Sequence, residues 1–448
     1  MGKRMRRSQR GEHSGSNTKY ILGSIAAVLV IVAAIAVAAW VIYGKLNPSD
    51  QGRDADQKQT AVQQEEQKTE ENEQADTDDT TEAAEENSSG TDAEIENILN
   101  GMTLEEKVCQ LFMITPEALT GVGTATQAGT ATQDAINAYP VGGVIYFSKN
   151  LQNPDQTRTM LENTQKYASE RLGFPIFLSV DEEGGQVARV GGNSAFGVEK
   201  IGNMSDVGSR GDTQEAYEIG TTIGAYLNDL GFNMDAAPDT DVLTNPENQV
   251  VKYRSFGSDP ELVARMAESE LRGLNDQGII GMYKHFPGHG GTTADSHEGY
   301  AYVDDTLDEL RSGAFVPFQD GIDNGIPVIM VSHISCPNVT GDNTPATLSK
   351  MLSTDILRDE MGFDGMVITD ALNMGAITAQ YSSSEAAVAA LNAGADMLLM
   401  PEDFQSAYQG VLSAVENGTV PEEDIFTDTK LFLFRKSGSM KLYAGYWK

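Results

Sequence analysis

The stretch KHFPGHGGTTADSHEG, residues 284–299, concentrates residue types that can bind metals or transfer protons. It contains three of the five histidines in a chain of 448 residues, together with four glycines and Asp295. Such residues suit three kinds of chemistry: a zinc site, a glycine-rich loop that cradles phosphate, or a mobile loop that carries a proton donor. Which of these applies depends on where the fold places the stretch.

Eight short apolar runs follow one another along the chain, separated by stretches with helical periodicity. They are residues 110–114, 142–147, 175–181, 232–238, 279–286, 327–334, 365–372 and 395–400. Alternating strand and helix units predict a parallel sheet with helices packed against it. Eight units predict an α/β fold of the (β/α)8 TIM-barrel type over residues 93–448, whereas an open doubly wound sheet usually has fewer strands.

In a barrel of this type, functional side chains lie at the carboxyl ends of the strands. Polar residues end several of the apolar runs, as this arrangement requires: Asp181, Asp235, Asp239, Lys284, His285 and Asp370. The pattern therefore predicts one shared polar rim.

Four motifs carry a resemblance to a known family: VDEEGGQVARV, RSFGSDPELV, KHFPGHGGTTADSHEGY and GMVITDALNMGAI. In this order and spacing they resemble glycoside hydrolase family 3, specifically its β-N-acetylhexosaminidase branch, over nearly all of residues 95–448. The resemblance implies a hydrolase that removes terminal β-linked N-acetylglucosamine (GlcNAc) with retention of configuration. It also implies a single catalytic barrel domain without the second α/β domain of many glucosidase relatives.

Retaining glycoside cleavage needs a nucleophile and a proton donor. Asp370, which ends an apolar run before a predicted helix, is the candidate nucleophile, and a helix N-cap is the structural alternative. The resemblance implies that His297 is the general acid/base and that Asp295 is its hydrogen-bonding partner in a dyad. It further implies that four residues bind sugar hydroxyls: Asp181, Arg254, Lys284 and His285.

The remaining residues of the histidine stretch have simpler interpretations. Gly288, Gly290 and Gly291 are expected to let the loop move, so that a proton donor can leave and return. For His289 we expect a hydrogen bond that stabilises the loop. His333, at the end of the sixth run, is expected either to line the site or to be a rim residue with its hydrogen bonds satisfied.

A metal-dependent reaction is the main chemical alternative. His285, His289, His297 and Asp295 include enough ligand types for zinc, but Pro287 interrupts the spacing of the first two and glycines surround them. We therefore expect no metal and no other cofactor. Other functions remain open: a β-glucosidase or β-xylosidase, a GlcNAc phosphorylase of the same family, or a non-catalytic cell-wall-binding protein.

The chain before residue 93 predicts a membrane anchor and a tether. Residues 1–20 are basic, and residues 21–43 form an uncharged run of 23 residues, long enough as a helix to cross a bilayer core of about 30 Å. The positive-inside rule predicts a cytoplasmic N-terminus and an extracytoplasmic catalytic domain on a single-pass cell-membrane protein. Residues 44–92 are acidic and poor in large apolar side chains, which predicts a disordered linker. A cleaved signal peptide is the alternative for residues 21–43.

The amino-acid composition limits the classes of molecule that this protein is expected to bind. A formal net charge of −35 argues against nucleic acid, because phosphate backbones require a positive surface. We expect a GlcNAc-containing glycan or muropeptide as substrate, the membrane as partner through the N-terminal helix, and a monomeric catalytic domain. Cys109 and Cys336 are too few for a disulfide framework and form either one bridge or two free thiols.

Overall fold

The structure is a computed structural model that describes residues 95–292 and 301–425. Within these ranges, no helix has the length and the apolar character that crossing a bilayer requires. Three predicted segments lie outside the described residues: the basic terminus 1–20, the membrane span 21–43 and the linker 44–92. They remain predictions.

Each of the eight predicted apolar runs contains a strand of a parallel sheet. In chain order, these strands are β1 (Phe112–Ile114), β2 (Gly143–Tyr146), β3 (Phe177–Val180), β4 (Met234–Asp235), β5 (Tyr283–Phe286), β6 (Val328–Val331), β7 (Met366–Thr369) and β8 (Leu398–Leu399). Every residue in these strands is buried. Strands covered on both faces have continuous rather than alternating apolar character, which is why the sequence reveals them.

The eight strands form two parallel sheets. One has the order β8-β1-β2-β3-β4 and the other has the order β7-β6-β5. Isolated parallel bridges link the two sheets at both edges, between Asp239 after β4 and Lys284 in β5, and between Ile368 in β7 and Met397 before β8. The predicted α/β fold with parallel strands is therefore confirmed.

Helices and short strands connect these elements. The α-helices whose two ends both lie within the described residues are Leu104–Gln110, Pro116–Thr120, Thr130–Ala138, Pro154–Leu172, Met204–Arg210, Thr213–Leu230, Pro260–Asp276, Leu307–Ser312, Phe315–Asp323, Pro337–Thr340, Gly375–Thr378, Ser383–Ala393 and Phe404–Glu416. Met351–Glu360 is wound as a π-helix, and Ser194–Phe196 and Ala346–Leu348 are short 3-10 turns. Glu182–Gly184 pairs antiparallel with Val187–Ala188, and Ala301–Tyr302 pairs parallel with Ile334–Ser335.

The helix Pro154–Leu172 illustrates how local sequence sets the bounds of these elements. Its first residue, Pro154, suits the start of a helix, where the missing N–H leaves no bond unmade. The Asn153 side chain accepts a hydrogen bond of 3.0 Å from the Gln156 N–H, which caps the first turn. Gly173 ends the helix in the left-handed region with φ of 82°, a conformation that glycine adopts without strain.

Two buried acids, Glu270 and Asp235, have raised pKa values although the charge of Lys284 opposes the shift. Glu270, in the helix Pro260–Asp276, is 1% exposed, and neither carboxyl oxygen has a hydrogen-bond partner in the described part of the chain. Burial, reinforced by neighbouring Asp235, raises the pKa of Glu270 well above its usual value. Asp235 accepts a 2.9 Å hydrogen bond from the Glu182 N–H, and burial raises its pKa as well. Asp235, predicted for the polar rim, is fully buried, and the charges of Lys284 and Asp181 act on it.

The two cysteines are separate. Cys109 and Cys336 are both buried free thiols. Burial raises the pKa of each thiol to about 12, so neither carries the thiolate that reactive cysteines need. Of the two alternatives that the sequence left open, two free thiols is the one observed.

Candidate active site

Parallel strands bring most of the predicted site residues to one edge of the fold. Lys284 and His285 lie in β5, and Asp370 directly follows β7. The Asp370 N–H donates a 2.8 Å hydrogen bond to the carbonyl oxygen of Val331, at the end of the intervening strand β6. Asp181 directly follows β3 in the other sheet and reaches the same place, since it accepts a 3.1 Å hydrogen bond from the Lys284 ammonium group.

Glu183 is the centre of an ionic cluster at this edge. It is 1% exposed. The Arg254 guanidinium donates to it in bidentate fashion, with Nε to Oε2 and Nη2 to Oε1 both 2.7 Å. Lys284 Nζ lies 2.6 Å from the same Oε1. Lys284, which is buried, and Arg254, whose side chain is 11% exposed, therefore share one carboxylate, and Glu183 holds both predicted sugar-binding side chains in place.

The cluster keeps all three of its members ionised. Burial alone would raise the pKa of Glu183, but the positive charges of Arg254 and Lys284 outweigh it and hold the pKa far below its usual value. Burial would lower the pKa of Lys284, yet the Glu183 and Asp181 carboxylates raise it above its usual value. The same balance, dominated by Glu183, raises the pKa of Arg254. This edge therefore presents fixed charges that no ordinary pH change removes.

His285 lies between Asp241 and Arg254. Its Nδ1 is 2.7 Å from Asp241 Oδ2, and its Nε2 is 3.3 Å from Arg254 Nη2. A guanidinium can only donate, so His285 Nε2 accepts and Nδ1 carries the proton that is donated to Asp241. Burial would raise the pKa of Asp241, but its contact with His285 lowers it. The carboxylate thus sets both the tautomer and the orientation of the imidazole.

Asp239, Asp241 and His285 have the geometry of a possible metal site. Their ligand atoms lie within 4.8 Å of one another, and all three residues are buried. However, Arg254 Nε lies 3.4 Å from Asp239 Oδ2, and the same guanidinium contacts His285. The Arg254 guanidinium, which also pairs with Glu183, therefore lies against two of the three candidate ligands. Burial and the nearby Asp241 carboxylate raise the pKa of Asp239 well above its usual value.

The backbone around Asp370 is held by a buried histidine. The Ala371 N–H donates to Asp370 Oδ1 at 2.7 Å, which orients the carboxylate. His333 Nε2 is 2.9 Å from the Ala371 carbonyl oxygen, and His333 Nδ1 is 2.8 Å from Thr347 Oγ1. Of the two interpretations of His333, the residue with satisfied hydrogen bonds is therefore confirmed, and its partner is the residue that follows the predicted nucleophile.

His289 stabilises the loop that follows β5. Its side chain is buried, with Nδ1 2.9 Å from Thr292 Oγ1. Its backbone N–H donates to Asp241 Oδ1 at 2.5 Å. Burial lowers the pKa of the imidazole, so the neutral form is favoured. The predicted loop-stabilising hydrogen bond of His289 is confirmed.

The glycines of this loop allow close packing. A Cβ atom on Gly290 would lie 1.8 Å from the carbonyl oxygen of Val242, and one on Gly288 would lie 2.5 Å from Ala314 Cβ. Gly288 also has φ of 124°, which side-chain-bearing residues rarely adopt. In the described conformation these two glycines let the backbone pack tightly against its neighbours, and the expected movement of the loop remains a prediction.

The predicted acid/base pair, Asp295 and His297, lies outside the described residues, and its arrangement remains a prediction. Sequence reasoning also missed two residues of the site, Glu183 and Asp241. Glu183 belongs to the motif VDEEGGQVARV, and Asp241 belongs to the acidic DTDV after β4. Acids directly after strand ends were the available signal for both.

The parallel strands carry buried charges and the Asp370 carboxylate at their carboxyl ends. This arrangement defines an α/β enzyme whose site lies at the carboxyl ends of the strands. The family is shown by comparison: residues 103–430 match the glycosyl hydrolase family 3 N-terminal domain. The chain belongs to glycosyl hydrolase family 3, a family of glycosidases, and the resemblance of its motifs is confirmed.

Individual relatives agree with this assignment. The chain is 36% identical over 284 residues to "Beta-hexosaminidase A" of Pseudoalteromonas piscicida, which covers 60% of this chain and 47% of that protein. It is 33% identical over 305 residues to "Beta-hexosaminidase LpqI" of Mycobacterium tuberculosis, covering 66% and 72%. A β-N-acetylglucosaminidase structure from Paenibacillus sp. str. FPU-7 aligns with a TM-score of 0.70 at 37% identity, over 77% of this chain and 63% of that one. The chain thus spans about half of the first of these relatives.

Proposed function

We propose that this protein is a retaining β-N-acetylhexosaminidase that removes terminal β-linked GlcNAc from glycans. The observation that carries the proposal is the buried cluster of Glu183, Arg254 and Lys284 at the edge where Asp370 lies. Fixed donors at such an edge suit a neutral sugar, whose hydroxyls need oriented hydrogen-bond partners. The relatives named β-hexosaminidase support the choice of sugar.

In the proposed first step, the Asp370 carboxylate attacks the anomeric carbon while the bond to the leaving oxygen breaks. The leaving oxygen takes its proton from His297, and a covalent glycosyl-Asp370 intermediate remains. Asp370 is suited to this role because the Ala371 N–H fixes one carboxyl oxygen at 2.7 Å.

In the second step, water attacks the same carbon and gives its proton to His297, and Asp370 is released. Two inversions at the anomeric carbon give net retention. Asp295 would hold the His297 ring in one orientation and favour its protonated form, as a carboxylate does for the histidine of a hydrolytic triad. The pair would act as one dyad.

Substrate binding is proposed for Asp181, Arg254, Lys284 and His285. Arg254 and Lys284 have their charges fixed by Glu183, and His285 is held by Asp241. Side chains held in this way lose little further freedom when a sugar binds, which favours tight binding of the correct stereoisomer. Asp181, with its side chain 18% exposed, is more open to solvent than the members of the ionic cluster that it adjoins.

We further propose that the two sheets form one closed (β/α)8 barrel. The bridges between Asp239 and Lys284, and between Ile368 and Met397, support closure because they link the sheets at both edges. A closed barrel would gather the carboxyl ends of all eight strands into one rim. Such a rim suits a site built from residues of both sheets.

The proposal extends to the setting of the enzyme. Residues 21–43 would anchor a single-pass protein in the cell membrane, with a monomeric catalytic domain on the extracytoplasmic side. The acidic linker would let that domain reach roughly 35–40 Å from its anchor. Peptidoglycan fragments would then be accessible substrates. Recovery of the protein in the soluble cytosolic fraction of intact cells would contradict this setting.

Turnover of aryl glycosides tests the activity. We expect the purified protein to cleave an aryl N-acetyl-β-glucosaminide in preference to the matched β-glucoside, and NMR to show the β-anomer as the first product. Asp370→Ala should abolish turnover, and His297→Ala should slow it strongly. No cleavage of either sugar by the folded protein, or an α-anomer as first product, would contradict the proposal.

A further inference from the structure

One buried amide links the segment that carries Arg254 to the loop after β5. Asn248 is 1% exposed. Its Nδ2 group lies 2.9 Å from the His289 carbonyl oxygen, 3.1 Å from the Thr292 carbonyl oxygen and 3.2 Å from Thr292 Oγ1. Its two amide hydrogens therefore serve acceptors on both sides of the glycine pair at 290–291.

The carbonyl end of the same side chain organises a turn. Asn248 Oδ1 accepts hydrogen bonds from the Val250 N–H at 2.8 Å and the Val251 N–H at 2.9 Å. The Val251 carbonyl oxygen in turn accepts from the Arg254 N–H at 3.0 Å. Asn248 thus reaches the Arg254 backbone through one intervening residue.

Neighbouring contacts make this link rigid. The Asn245 N–H donates to the Gly290 carbonyl oxygen at 3.1 Å, and Asn245 Nδ2 donates to the Thr292 carbonyl oxygen at 3.1 Å. Gly290 also packs against Val242 with no room for a side chain. The backbone at 289–292 is therefore fixed to the segment 242–248, and Thr292 is the last described residue before Asp295 and His297 in the sequence.

We propose that Asn248 is a positioning residue for the acid/base step: it fixes the backbone from which residues 293–300 continue, relative to Arg254. The inference rests on the proposed function. Asn248 is linked to the Arg254 backbone through Val251, so it acts through other groups. A displacement of about 1 Å in a catalytic group can cost about 100-fold in rate.

Asn248→Asp distinguishes the role of the side-chain oxygen from that of the side-chain NH2 group. It keeps an oxygen that accepts from Val250 and Val251 and removes the donor to His289 and Thr292. The readout is kcat/KM for two substrates, phenyl and 2,4-dinitrophenyl N-acetyl-β-glucosaminide. Phenoxide needs a proton to leave, whereas dinitrophenoxide does not. A residue that only supports the fold or binds substrate would affect both equally.

We expect Asn248→Asp to lose about 10–100-fold in kcat/KM with the phenyl substrate and less than about threefold with the dinitrophenyl substrate. Asn245→Ala removes one donor to Thr292 from a half-buried side chain. It should give a smaller loss of kcat/KM that again falls mainly on the phenyl substrate, and it replaces Asn248→Asp as the test variant if Asn248→Asp does not fold. Equal losses on both substrates, or none, would overturn the inference. If the unmodified protein cleaves neither substrate, the proposed function fails instead.

Discussion

Replacing Glu183 with glutamine removes the charge that Arg254 and Lys284 share while keeping the side-chain size. Glu183 receives two hydrogen bonds from Arg254 at 2.7 Å and one contact from Lys284 at 2.6 Å. Removing one partner of a buried ion pair costs about 3–5 kcal/mol, because the remaining charge is uncompensated. Asp181 and Asp239 still face these cations, so we expect the free energy of unfolding at pH 7 to fall by about 3 kcal/mol.

The loss should depend on pH in a defined direction. The folded protein holds the pKa of Glu183 below its usual value. Its stabilisation is therefore complete above the unfolded-state value, about 4.3, and is lost progressively as the pH falls below that value. The difference in stability between the unmodified protein and Glu183→Gln should be largest at neutral pH and should shrink towards pH 3.

Urea unfolding followed by far-ultraviolet circular dichroism measures both effects. Asp181→Asn is the matched control, because Asp181 also contacts Lys284 but is partly exposed, and we expect it to cost less than about 1 kcal/mol. Glu183→Asp keeps the charge and should recover part of the loss. A cost for Glu183→Gln below about 1 kcal/mol, or one that stays constant with pH, would refute the reasoning.

Three further substitutions test other parts of the structure. Glu270→Gln should stabilise the protein by about 1–3 kcal/mol at pH 7, because a raised pKa means that stability declines as pH rises above the unfolded value; thermal unfolding should show no comparable gain for Glu268→Gln on the same helix. Gly290→Ala should lower the free energy of unfolding by about 1–3 kcal/mol, measured in urea, because the added Cβ would overlap the Val242 carbonyl oxygen. Arg254→Lys should lower kcat/KM for the aryl GlcNAc substrate about 10–100-fold, since lysine cannot make the bidentate contact; unchanged kinetics would contradict the role of this residue.

Much of the architecture was predictable because parallel strands are buried on both faces. Each of the eight apolar runs contains a strand, and the helix Pro154–Leu172 lies in one of the stretches of helical periodicity that separate the runs. The strands are shorter than the runs, because apolar residues continue past the last ladder hydrogen bond into buried turns. β4, for example, has only two residues within the run 232–238. Composition predicts burial more directly than it predicts hydrogen bonding.

The ionic cluster was less accessible from sequence, because it depends on distances between remote residues. Glu182 and Glu183 are adjacent and chemically alike, yet they face different partners. Glu182 accepts from the backbone of Val190 and Gly191, whereas Glu183 binds Arg254. Nothing in the sequence distinguishes the two acids, since only the turn after β3 decides which one faces the cations.

The structural role of the glycines after β5 is ambiguous in the sequence for a related reason. Glycine serves both flexible segments and tight contacts, and the sequence alone does not separate the two uses. The contact of Gly290 with Val242 and the hydrogen bonds from Asn245 and Asn248 decide for tight packing. The sequence therefore locates the segment, whereas the packing role of Gly290 becomes visible only in the structure.

The pairing of β1 with β8 has a consequence for biosynthesis. Phe112 and Met113 of β1 pair with Leu398 and Leu399 of β8, so the two strands come from opposite ends of the domain sequence. While a ribosome makes the chain, one edge of β1 has no partner until the last strand emerges, and such open edges invite pairing with other chains. We therefore expect this edge to be open to pairing with other chains until residues 398 and 399 have been synthesised. A chain interrupted before residue 398 would keep that edge exposed and become a substrate for proteases.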